Sequence, residues 1–62
     1  MRDIPKRLRE ARGETPRKEV CEALGIAPST LTMYETGQRV PRDEIKIALA
    51  NFYNTSVEAL FY

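Results

Sequence analysis

Apolar residues recur along this chain three and four positions apart, and Gly and Pro interrupt the pattern at short intervals. That period predicts amphipathic helices, and no strict apolar–polar alternation lasts long enough to predict a strand. Ile4, Leu8 and Ala11, set among Lys6, Arg7, Arg9, Glu10 and Arg12, predict a first helix over residues 3–12, ending at Gly13 where a left-handed cap is expected. Thr15 offers a capping hydroxyl and Pro16 a first helical position that needs no amide donor, so a second helix is expected over 16–24, with Val20, Cys21 and Leu24 inward. Gly25, Ile26 and Ala27 form a short connection before Pro28, which opens a third helix over 28–36 with Leu31 and Tyr34 inward. Gln38 to Pro41 reads as a loop with Val40 tucked inward. Asp43 and Glu44 suit the first turn of a fourth helix over 42–53, lined by Ile45, Leu49 and Tyr53. Asn54 and Thr55 break that pattern, Ser56 can cap, and Val57 with Leu60 gives a last turn over 57–61. The expected fold class is all-α, five short helices in one domain spanning residues 1–62.

Composition narrows the function more than the fold. The chain has 62 residues, one Cys and no His, which allows neither an internal disulfide nor a zinc set, and leaves packing to supply stability. Cys21 is expected to be a packed thiol and not a redox sensor. No segment reads as a secretion signal or a membrane span, so the cytoplasm is the expected compartment. An enzyme is disfavoured, because no clustered carboxylates and no Gly-rich phosphate loop accompany the missing His; no cofactor, metal or small-molecule substrate is expected. Net charge is only +1, yet its distribution is uneven. Residues 1–20 carry seven Lys/Arg against four acids, residues 21–42 two against two, and residues 43–62 one against three. A basic front matters because attraction to phosphate acts locally, over a screening length of about 10 Å.

The second and third helices, joined by a glycine-containing turn, have the spacing of two helices that cross steeply, the second held out as a probe for a DNA major groove. An ordinary helical corner of a small bundle has the same spacing. The residues themselves go further. Val20-Cys21-Glu22-Ala23-Leu24-Gly25-Ile26 followed by Ser29-Thr30-Leu31-Thr32-Met33-Tyr34-Glu35-Thr36-Gly37 resembles the Cro/repressor-type (XRE) helix-turn-helix family. Leu8-Arg9-Glu10, Pro41-Arg42-Asp43-Glu44-Ile45 and Ser56-Val57-Glu58-Ala59-Leu60-Phe61 extend the likeness over nearly the whole chain, in order.

The resemblance implies a lambda-repressor-like domain that binds double-stranded DNA as a transcriptional regulator, a repressor acting as a homodimer on a palindromic operator. It places base reading on Pro28, Ser29, Thr32 and Met33, with Thr30 nearer the flank. This set departs from the commoner Gln, Arg or Asn, so weaker discrimination per contact and more shape readout are expected. Phosphate contacts fall to Arg17, Lys18, Arg39 and Arg42, with Lys6 or Arg2 as possible additions. Arg9 and Glu35 match an internal ion pair of relatives that would orient the reading helix. Ile47 and Phe52 fall off the inner stripe of the fourth helix, and Phe52, Val57, Phe61 and Tyr62 are the expected dimer contacts. The competing reading is a protein-interaction module on the same fold, antitoxin-like or an anti-repressor partner.

Overall fold

A computed structural model describes residues 3–62, and among them it contains five helices and no strand. The first, α1, runs Ile4–Arg12 and is opened by Asp3, whose Oδ1 accepts from the Lys6 amide at 3.0 Å. Its inward stripe is Ile4, Leu8 and Arg12, at steps of four; Ala11 lies on the exposed side. Gly13 ends it at φ 53°, but ψ of −123° is not the left-handed helical value that the sequence suggests.

The second helix, α2, runs Arg17–Leu24 and starts one residue later than expected. Pro16 stands before it in an extended conformation (φ −61°, ψ 141°), and its carbonyl accepts from the Glu19 and Val20 amides. The Thr15 hydroxyl caps nothing here, because Pro16 itself occupies the capping place. Gly25 closes α2 at φ 69° and ψ 34°, the left-handed conformation a helix stop of this kind requires. The third helix, α3, runs Pro28–Glu35 with Pro28 in its first turn, and the Gln38 amide folds back onto the Met33 carbonyl at 2.9 Å. Val40, expected inside, is 63% exposed, and Pro41 takes the buried place in that loop. A loop has no helical period to say which of two neighbouring apolar residues turns inward.

The fourth helix, α4, spans Asp43–Phe52 with Asp43 and Glu44 in its first turn, and the fifth, α5, spans Val57–Phe61 under a Ser56 cap that accepts from the Ala59 amide at 3.0 Å. Every helix contributes to one core: Leu8, Val20, Cys21, Leu31, Tyr34, Leu49, Ala50, Leu60 and Phe61 are buried together. The α3 helix packs on α1 and α2, while α5 packs on α1 and α4. Arg7 reinforces the α1–α5 contact by donating to the Ala59 carbonyl at 3.3 Å. Removing these apolar surfaces from water contributes about 25 cal/mol per Å² and is the main term holding so short a chain together. Among the described residues no helix is long and apolar enough to cross a membrane.

Candidate nucleic-acid interface

The face that matters is built on α3. Leu31 and Tyr34 anchor it to the core, so the opposite side of the helix turns outward: Pro28 and Ser29 are exposed, and Thr32 and Met33 are half-buried there. Thr32 is not a free hydroxyl, since its Oγ1 donates to the Pro28 carbonyl one turn back at 3.0 Å. With its proton so used, it meets a ligand as an acceptor, suited to the amino groups of adenine or cytosine, and its methyl suits thymine. Thr36 Oγ1 donates to the Thr32 carbonyl at 2.8 Å in the same manner.

Cationic side chains stand on both flanks of this helix. Arg39 and Arg42 are exposed and border one groove with Thr30, Tyr34 and Ile45, between α3 and the start of α4. Lys18 is exposed at the other flank, where it shares a shallow groove with Ile26 and Pro28 at the turn between α2 and α3. Lys6 is exposed on α1, and Arg2 lies outside the described residues.

The expected Arg9–Glu35 ion pair takes a different form. Glu35 is fully buried, and its two carboxylate oxygens are taken by other arginines: Arg12 Nε donates to Oε2 at 2.7 Å and Arg17 Nε to Oε1 at 2.9 Å. Arg9 Nη1 donates instead to the main-chain carbonyl of Glu35. The reason is positional, because Arg12 continues the inward stripe of Ile4 and Leu8, whereas Arg9 is one step past Leu8 on an exposed position. That stripe was the signal in the sequence for Arg12. Arg17, expected at a phosphate, is in this structure a partner of Glu35, with 44% of its side chain exposed.

Two further groups feel this buried carboxylate. Burial, then the charge of Glu35, raises the Cys21 thiol above its usual range, partly opposed by Arg17, which favours the inert protonated form. Burial and then Glu35 push the Tyr53 hydroxyl up to about 12, with Arg12 opposing.

The expected dimer residues divide. Phe61 is 3% exposed and belongs to the core of one chain, because the last turn of α5 folds back onto α1 and α4. Val57 is half-buried against that core. Phe52 and Tyr62 remain exposed, as does Ile47 at 54%.

No curated protein and no solved structure matches the chain. A family model described as helix-turn-helix matches residues 6–60, a span that takes in all of α2, the turn and α3. With that match over most of its length, the chain belongs to the Cro/C1-type helix-turn-helix (XRE) family of DNA-binding proteins.

Proposed function

We propose that this protein is a sequence-specific transcriptional regulator, a repressor, that lays α3 in the major groove of a palindromic operator as a homodimer. The observation that carries the reading is the outward side of α3, with Pro28 and Ser29 exposed and Thr32 and Met33 half-buried beside them, Arg39 and Arg42 on one flank and Lys18 on the other. Such an arrangement separates the two tasks of a DNA reader: cations fix register on the backbone, and short side chains meet base edges. Because hydroxyls and a thioether make fewer bidentate contacts than Gln or Arg, each base contact is expected at the low end of about 1 to 3 kcal/mol. Part of the specificity then comes from the shape of the site.

Selection of bound sequences from random duplexes tests this directly. A palindromic consensus, with affinity falling steeply as salt rises, is the expected result. Absence of salt-dependent duplex binding at low ionic strength would defeat it and favour the protein-interaction module.

A further inference from the structure

The Glu35 carboxylate lies wholly out of water under the C-terminal end of α3, and it accepts from two arginines on two other helices. Arg12 is the enclosed partner: 17% of its side chain is exposed, and its Nη1 is further fixed by the Thr15 carbonyl at 3.0 Å. One arginine balances one buried carboxylate. The second, Arg17, leaves the cluster with a surplus positive charge, and this is the member that stands 44% exposed at the first position of α2. Arg17 spends only Nε on Glu35, which leaves its two Nη nitrogens and their four N–H donors for another acceptor.

We propose that Glu35 is a positioning residue for DNA binding: it grips the inner edge of the Arg17 guanidinium and so presents the outer edge to a backbone phosphate. The inference rests on the DNA-binding reading above. It explains why arginine stands at position 17, since the planar fork can meet a carboxylate and a phosphate at once. A lysine there has a single nitrogen on a flexible stem, and holding that nitrogen to Glu35 withdraws it from the DNA. The arrangement also ties the α2 phosphate contact to the placement of α3, because the carboxylate that holds Arg17 is part of the reading helix itself.

The competing account treats Glu35 as a counter-charge only. The two accounts predict opposite signs. A negative charge near the DNA face repels phosphate, so removing it should tighten binding if charge alone matters. Removal should weaken binding if the carboxylate aims Arg17.

The experiment measures duplex affinity across a salt series, by fluorescence anisotropy on a random-sequence duplex, for the parent, Arg17→Lys, Arg17→Ala, Glu35→Gln and the double variant Arg17→Ala/Glu35→Gln. Arg17→Ala should lose roughly three- to tenfold at moderate salt and about one unit of salt slope. Arg17→Lys should lose nearly as much although its charge is kept. Glu35→Gln should weaken binding in the parent background and have little effect in the Arg17→Ala background, the signature of two residues acting through one contact. Lysine binding as tightly as arginine, or Glu35→Gln tightening binding or costing the same in both backgrounds, would overturn the proposal. Far-UV circular dichroism checks each variant, and if Glu35→Gln fails to fold, Glu35→Asp takes its place. It keeps the charge but draws the carboxylate back from Arg17, so it should weaken binding in the parent and not in the Arg17→Ala background, and unchanged binding overturns the proposal. A parent that binds no duplex at low salt would remove the DNA-binding reading itself, a result distinct from a parent that binds and a lysine variant that matches it.

Discussion

Tyr53 closes α4 with its hydroxyl buried and, among the described residues, without a hydrogen-bond partner. A buried polar atom left unpaired costs about 1 to 3 kcal/mol, so Tyr53→Phe should leave stability unchanged or raise it, contrary to the usual effect of altering a buried residue. The pH dependence gives a second handle. The folded chain holds the Tyr53 proton up to about 12, against 10.0 for an unperturbed tyrosine, because burial and the Glu35 charge disfavour the phenolate. Between those values the native state binds more protons than the unfolded state, so stability should fall as pH rises from about 10 to about 12. Urea unfolding across that range should therefore show a steeper loss for the parent than for Tyr53→Phe. Equal slopes would mean that Tyr53 is not held neutral by the fold.

At the scale of elements, α5 is the clearest dependent. Five residues cannot sustain a helix alone, and Val57–Phe61 is held by the Ser56 cap, by the burial of Leu60 and Phe61, and by the Arg7 bond to Ala59. Ser56→Ala should cost about 1 kcal/mol, which in a domain of this size lowers the melting temperature by roughly 4 to 8 °C; an unchanged thermal melt would show the cap to be idle. The same hydroxyl illustrates what the sequence makes legible. Serine before an apolar turn, Pro28 at a helix start and Gly25 after a helix end each act within their own segment, and the structure keeps all three. Pro16 was harder to place, since a proline fits equally at the cap or one residue inside it. The Glu35 cluster was harder still. Arg9, Arg12 and Arg17 all lie within reach of that carboxylate along the chain's path, and charge type alone does not choose among them. The choice is made by helix phase, which turns Arg12 inward beneath Leu8, and by the register of α2 against α3, which no local pattern encodes.

For the molecule as a whole, the homodimer we propose follows from size. The described chain measures 29 × 23 × 23 Å, and a single α3 of eight residues touches too few base pairs to define one site among many. Two copies whose reading helices enter successive major grooves lie about 34 Å apart, close enough for the side chains of bodies this size to meet. The face available for that contact is on α4 and the chain end. Ile47, Val57 and Tyr62 border one groove with Asp43 and Lys46, while α3 packs on α1 and α2 and stays clear of it. Lys46 Nζ donates to the Tyr62 hydroxyl at 3.2 Å and lies over the Tyr62 ring, while Asp43 stands beside the same groove, so an axis passing between the two residues would set each copy's acid toward the other's base. Phe61 cannot serve, and Phe61→Ala should unfold the chain, at a cost of about 3 to 5 kcal/mol, before it separates two copies. Ile47→Asp is the informative change, because Ile47 is 54% exposed and its loss leaves the core intact. It should keep the parent's circular dichroism and its affinity for an isolated half-site. On a palindromic duplex it should lose tenfold or more, roughly the 1.4 kcal/mol or greater that contact between bound copies contributes. A contact through so few residues is expected to be weak in free solution, so sedimentation equilibrium belongs on the saturated duplex as well as on the protein alone. Two copies per palindrome for the parent with an undiminished Ile47→Asp variant would move the interface elsewhere, and one copy per palindrome at saturation would end the dimer.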